Sequence, residues 1–147
     1  MSTMTEPTAG RESGTLDNRL RMATFGALTM LILQFVLGTA YSLYGTAPAA
    51  GKPVGMFSSP LLAIHVILGI LIVLCAIVLV VRAAQAKSRP VITTSVIALL
   101  AVLGAFGAGS AFTRQGANGA SLGMAIATAV AMLCYAASLV ILGKPRL

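Results

Sequence analysis

The sequence predicts an all-α, four-helix transmembrane bundle, and three observations lead to that fold class. Of the 147 residues, 58% are hydrophobic and only 9% are charged, whereas soluble domains are about half apolar and a quarter charged. The apolar residues are concentrated in four runs, each long enough to cross a bilayer core of about 30 Å as a helix. The runs are uniformly apolar rather than alternating, which excludes barrel strands. With two cysteines, the chain also does not match a disulfide-rich secreted scaffold.

The spans follow one another closely after a polar N-terminal segment. Residues 1–18 lack hydrophobic periodicity, which predicts a disordered cytoplasmic tail ahead of a transmembrane domain over 19–147. The alternative is a cleaved signal peptide, but the apolar core of such a peptide runs about 7 to 15 residues and the first span is longer. The predicted spans cover residues 22–44, 61–81, 91–112 and 119–142.

Proline, asparagine and glycine mark the ends of these spans. Pro60 and Pro90 stand at the start of spans two and three, where a missing N–H group costs nothing. Asn118 is placed to cap span four. Gly143 and Pro145 are placed to end it.

The basic residues indicate the orientation of the chain. Only Lys52 and Arg114 fall on one side of four crossings, and eight basic residues fall on the other: Arg11, Arg19, Arg21, Arg82, Lys87, Arg89, Lys144 and Arg146. The positive-inside rule therefore predicts that both termini and the middle loop are cytoplasmic. The net charge of +7 flanks the spans and suits anionic lipid, so no nucleic-acid partner is expected.

Small residues recur at helical spacing on spans three and four. On span four they are Gly119, Gly123 and Ala127, and on span three Gly104 pairs with Ala108. Such ridges allow close helix contact in lipid, either within the chain or at the seam of a homodimer or a membrane-protein complex. Short similar sequence runs in the two halves of the chain are also compatible with a duplicated helical hairpin.

Residue types that perform catalysis are absent from the spans. All three acidic residues precede the first span, and the single histidine lies in the second. This distribution leaves no Ser-His-Asp triad and no carboxylate pair, and no zinc-protease, nucleotide-binding or dithiol motif is present. We therefore predict no catalytic residues. Gln34, near the middle of span one, is interpreted either as a hydrogen-bonding link between helices or as a substrate contact.

His65 and Met124 are the candidate cofactor ligands. Both lie early in their spans, ten residues before Cys75 and Cys134 respectively, so we place them at equal depth. Three interpretations of His65 stay open: an interfacial histidine, an axial ligand of b-type haem paired with Met124, and a quinone or proton site. The haem interpretation requires spans two and four to face each other, with Gly69 and Gly123 leaving room for the porphyrin.

The two cysteines have two possible interpretations. Each lies sixteen residues after the residue that opens its span, Ser59 for Cys75 and Asn118 for Cys134, so they are expected to be neighbours near the cytoplasmic leaflet. They are either small buried apolar residues or a redox or metal pair. No metal beyond a haem iron at His65 is predicted.

The chain shows two resemblances to known membrane proteins. The run 34–38, the segment 44–48 and Ile64-His65 opening the next span resemble one four-helix half of the haem A synthase family. The resemblance implies a haem-binding histidine at the position of His65. The family's second histidine, on the fourth helix, is replaced at comparable depth by Met124, and its membrane glutamate is missing. The composition, rich in Ala and Gly with more Arg than Lys, resembles small four-span membrane proteins of actinobacteria.

The sequence therefore predicts a multi-pass protein of a bacterial plasma membrane without a recognisable catalytic site, and the specific hypothesis is that it binds b-type haem through His65 for electron transfer or haem handling. The alternatives are a structural or accessory subunit of a larger membrane complex, and a small-solute carrier.

Overall fold

The computed structural model describes residues 8–44, 52–55, 57–115 and 118–143, and within these residues every regular element is a helix. The four helices are α1 (Thr8–Tyr44), α2 (Pro60–Gln85), α3 (Arg89–Gln115) and α4 (Asn118–Leu142). Each contains a segment long and apolar enough to cross a membrane. The all-α, four-span fold class is confirmed, and the chain is a multi-pass membrane protein.

The helices form a closed ring in chain order. Contacts join α1 to α2, α2 to α3, α3 to α4 and α4 to α1. In the described part of the chain, no Cα atom of α2 lies within 8 Å of one in α4, and the same holds for α1 and α3. In this four-membered ring, α2 and α4 lie on one diagonal. We call the end with the 45–59 and 116–117 connections the outer end, following the charge distribution.

The helix boundaries follow local chemistry. Ser59 is the N-cap of α2, where its hydroxyl accepts a 3.2 Å hydrogen bond from Leu62 N, and Pro60 is the first helical residue, as predicted. Helix α4 ends before Gly143, whose N–H donates to Leu139 O at 2.9 Å. The turn after α2 places Lys87 at a φ of 53°, a left-handed conformation that closes the inner loop.

The N-terminal segment differs from the prediction of a disordered tail over 1–18. Helix α1 begins at Thr8, so residues 8–18 are helical, and 1–7 lie outside the described residues. The physical reason is that extending an existing helix adds a hydrogen bond per residue without a new nucleation step. The long first span supplies that nucleus, even for a polar segment.

The inner half of the bundle is a core with a regular spacing. In every helix the buried residues are separated by three or four positions, the pattern of left-handed helix packing. They are Leu20, Thr24, Ala27 and Leu31 in α1; Ile72, Ala76, Leu79 and Ala83 in α2; Val91, Ser95, Ala98 and Val102 in α3; Thr128, Ala131, Tyr135 and Ser138 in α4.

The opposite faces of the helices carry large apolar side chains. Phe25, Ile70, Leu100 and Leu133 are examples, each about half exposed or more. A soluble protein rarely exposes such continuous apolar surface. These faces therefore contact the lipid bilayer.

Helices α3 and α4 share the most extensive interface of the ring. At its inner end the Thr94 and Ser138 hydroxyls form a 2.7 Å hydrogen bond. At its outer end a Cβ atom on Gly123 would lie 3.9 Å from the Cβ of Ala108, so these two ridge residues meet within the chain. Gly104 and Gly119 have nothing within 4 Å of such an atom and face outward.

Candidate functional site

A cavity of about 250 Å³ occupies the outer half of the bundle and is lined by all four helices. Its position follows from the spacing of the core. Continued toward the outer end, that spacing reaches Gly38, Gly69, Ala105 and Gly109, all of which line the cavity. Leu31 and Ile72 also line the cavity, at its inner end. The small residues at these outer positions therefore leave space between the helices. We call this space the outer cavity.

Gln34 and His65 join α1 to α2 at the wall of the outer cavity. Gln34 Nε2 lies 3.0 Å from the backbone oxygen of His65 and 3.2 Å from His65 Nε2. An amide oxygen would be repelled by a carbonyl oxygen at that distance, so it is the amide nitrogen of Gln34 that faces His65. Gln34 therefore forms the hydrogen-bonding link between helices that was one of its two predicted roles.

This arrangement fixes the protonation of the imidazole. The Gln34 amide nitrogen has two protons, one for the His65 carbonyl oxygen and one for the His65 Nε2 lone pair. His65 Nε2 is then an acceptor, and the neutral ring carries its proton on Nδ1. The ring is held by α1 rather than by its own helix.

Two glycines make this contact possible. A Cβ atom on Gly38 would lie 3.0 Å from His65 Cε1, and one on Gly69 would lie 3.1 Å from Gln34 Nε2. His65 of α2 thus lies over a glycine of α1, and Gln34 of α1 lies over a glycine of α2. The pair is reciprocal, and a larger residue at either glycine would push a side chain out of place.

Met124 makes the corresponding contact in the second hairpin. A Cβ atom on Gly109 would lie 3.3 Å from the Met124 sulfur, so Met124 of α4 lies over a glycine of α3. His65 and Met124 both line the outer cavity, from diagonal helices. This geometry is compatible with a duplicated hairpin. Gly38 and Gly104, each the last residue of a Val-Leu-Gly run, nevertheless differ, because Gly38 contacts His65 whereas Gly104 faces outward.

As it stands, the outer cavity does not fit an axially bound haem. The Nε2 lone pair of His65 is occupied by Gln34, and Met124 lies against Gly109. The space expected at Gly69 is taken by Gln34, and Gly123 faces Ala108 instead of the cavity. Haem would also need more space than the 250 Å³ present here, since even pockets for drug-sized ligands measure about 300 to 1,000 Å³.

Two polar atoms of the site have no partner. Gln34 Oε1 and His65 Nδ1 are buried and make no hydrogen bond within the described residues. Leaving such an atom unpaired costs about 1 to 3 kcal/mol. A native structure seldom retains two such atoms side by side without a functional reason.

The cysteines lie outside the lining of this site. Cys75 of α2 and Cys134 of α4 are both free. A disulfide needs Cα atoms within about 7 Å, whereas no described Cα atoms of these two helices approach within 8 Å. The two cysteines are therefore not placed to form a disulfide, because α2 and α4 are diagonal in the ring. The part of the chain that the structure describes holds no group of three or more His, Cys, Asp or Glu side chains able to bind a metal ion.

Sequence reasoning identifies His65, Met124 and Gln34 but misses the glycines beneath His65 and Met124. The signal that could have found Gly38 and Gly109 is the core spacing, continued from the apolar inner half into the outer half. The spacing alone does not say which neighbouring helix fills each gap.

No family model matches the sequence, and no curated protein and no solved structure is significantly similar to it. The resemblance to one half of the haem A synthase family thus stays a prediction carried by the residues quoted above.

Proposed function

We propose that this protein is a non-catalytic membrane protein that binds a small, largely apolar molecule in the outer cavity. The observation that carries the proposal is the cavity itself, which has three glycines and two alanines in its lining and is walled by the Gln34–His65 pair. Ligand sites are typically concave and mostly apolar, with a few convergent polar groups.

We further propose that the membrane is a bacterial plasma membrane, with both termini in the cytoplasm. The support is the distribution of basic residues, of which only Lys52 and Arg114 belong to the outer end. The outer cavity would then open toward the extracytoplasmic leaflet. Cysteine accessibility at position 52 in intact cells tests this orientation: a Lys52→Cys variant should react with a membrane-impermeant thiol reagent.

Native mass spectrometry of the protein ejected from mild detergent tests the binding proposal. We expect a small molecule to be retained by the wild type and lost from Ala105→Leu, because the added side chain fills the cavity that Ala105 lines. Ala129→Leu is the matched control, since Ala129 lies on an exposed face of α4. Equal occupancy in both variants would contradict the proposal.

The second candidate function is binding of b-type haem. The observation in its favour is that His65 and Met124 line one cavity from diagonal helices. When bound, haem supplies one-electron chemistry. Binding of haem in the outer cavity requires Gln34 to release His65 Nε2 and the helices to separate. Oxidised and reduced absorption spectra after expression with haem precursor decide the question: a near-stoichiometric Soret band that disappears in His65→Ala supports haem, and a colourless folded protein refutes it.

The accessory-subunit and carrier alternatives predict other outcomes. An accessory subunit keeps its partner in His65→Ala, whereas a carrier shows altered flux in that variant. A homodimer or partner seam would use Gly104 and Gly119, the ridge glycines that face outward. Light scattering of the purified protein measures the oligomeric state, and Gly104→Leu should reduce any dimer that uses this face.

A further inference from the structure

Four of the seven hydroxyl-bearing residues that line the outer cavity donate their protons to their own helices. Thr39 donates to Phe35 O at 2.9 Å, Ser110 to Gly107 O at 2.8 Å, Thr113 to Ser110 O at 3.0 Å and Thr128 to Met124 O at 2.8 Å. All four donating residues line the cavity. A hydroxyl that donates to its own helix retains only acceptor lone pairs. These oxygens can therefore accept hydrogen bonds but cannot donate a further one.

The Gln34 amide adds one more acceptor to the wall, and the His65 imidazole adds one donor. Both protons of the Gln34 amide are directed at His65, which leaves Gln34 Oε1 as a buried acceptor without a partner. The free donor of the pair is His65 Nδ1. It lies 3.6 Å from the position of a Cβ atom on Gly38 and so is held against α1. The bonded polar groups of the wall are thus acceptors.

The charge of the ligand is also constrained. None of the described residues that line the cavity is Asp, Glu, Lys or Arg. A charged group moved into this apolar space would lose its hydration without gaining a counter-ion. An ammonium donor is therefore disfavoured, and a neutral hydroxyl donor is favoured.

Resting on the proposed function above, we propose that the outer cavity selects neutral molecules that carry a hydroxyl donor, such as a small alcohol or phenol, and that Thr128 is the acceptor. Thr128 is only 7% exposed, so a hydrogen bond to its oxygen is shielded from water and gains strength. A cavity of about 150 Å³ is known to hold benzene, so the 250 Å³ present here has room for a substituted phenol.

Two isomers test this inference: 4-propylphenol, which has a hydroxyl donor, and 4-ethylanisole, which has the same atoms but no donor. Their dissociation constants are measured by calorimetric titration of the full chain in detergent, corrected for partition into empty micelles. We expect the phenol to bind about three- to tenfold more tightly, the gain from one net hydrogen bond. Ala105→Leu should abolish saturable binding of both isomers.

The variant Thr128→Val removes the acceptor at nearly constant volume, and it should bring the two dissociation constants to within about twofold. Thr29→Val is the matched control, because Thr29 donates to Phe25 O in the same way but lies on an exposed face of α1. It should leave the preference unchanged.

Each outcome is decisive. Saturable binding of both isomers with equal affinity, or tighter binding of the anisole, overturns the donor preference and leaves the cavity function standing. A preference that persists in Thr128→Val also overturns the inference. Saturable binding of neither isomer overturns the proposed function together with it.

Discussion

Substituting alanine for Gly38 tests the contact between α1 and α2. The new Cβ atom would lie 3.0 Å from His65 Cε1, a distance that forces the imidazole to move. Overpacking of this kind costs about 1 to 3 kcal/mol, and displacing the ring also strains the hydrogen bonds from Gln34, each worth about 1 kcal/mol. Against this, replacing a helical glycine with alanine gains about 0.5 to 1 kcal/mol. We expect Gly38→Ala to lower the free energy of unfolding by about 1 to 2 kcal/mol.

The control is Gly104→Ala on α3. Nothing lies within 4 Å of a Cβ atom at that position, so only the helix-forming gain applies. The variant should be neutral or more stable than wild type by up to about 1 kcal/mol.

Unfolding of the detergent-solubilised protein in rising mole fractions of SDS gives these energies. Because the chain contains no tryptophan, far-UV circular dichroism is the suitable signal. A double-mutant cycle completes the test: in a His65→Ala background there is no ring to displace, so Gly38→Ala should become harmless, with a coupling energy of about 1 to 2 kcal/mol. If Gly38→Ala is as well tolerated as Gly104→Ala, or if the cycle shows no coupling, the packing of His65 over Gly38 is wrong.

Three further predictions concern the inner half of the bundle. Thr94→Val should lower the free energy of unfolding by about 0.6 kcal/mol, since it removes one hydrogen bond between helices, to Ser138; the SDS titration measures this, and a loss above about 2 kcal/mol would point to a larger polar network. Tyr135→Phe should be neutral or stabilising by up to about 1 kcal/mol, because the Tyr135 hydroxyl is buried without a partner in the described part of the chain. A clear destabilisation in the same titration would show that the hydroxyl is bonded. Under a copper-phenanthroline oxidant, Cys75 and Cys134 should not form an intramolecular disulfide, because they lie on diagonal helices. Mass spectrometry after thiol alkylation should count two free thiols, and recovery of a disulfide-linked peptide pair would contradict the helix order.

The four spans can be predicted from the sequence because bilayer thickness sets their length and backbone hydrogen bonding sets their helical form. The observed helices extend the predicted 61–81 and 91–112 by a few residues into the interfaces. The prediction for the N-terminal segment is wrong at residues 8–18, since composition describes a chain in isolation and not one that continues an existing helix.

The site can be predicted only in part. Helical rise gives depth, which places His65 and Met124 at a similar level, and both line the outer cavity. Which residue faces which helix depends on the order of helices around the ring, and the sequence does not state that order. Gly69 is expected from the sequence to leave room for a porphyrin, whereas in the ring it faces α1 and accommodates Gln34.

Binding in the outer cavity requires that a small molecule enters the bundle and does not stay in the surrounding detergent. Intermolecular nuclear Overhauser effects locate such a molecule in one sample: the protein with ¹³C-labelled methionine methyl groups, in deuterated detergent, with 4-propylphenol added. Met124 lines the cavity, and Met22, which is 67% exposed near the inner end, is the internal control. We predict strong cross-peaks from the phenol ring to the Met124 methyl and weak ones to Met22. Cross-peaks to Met22 that equal or exceed those to Met124 would show that the phenol stays outside the bundle, and would contradict binding in the outer cavity.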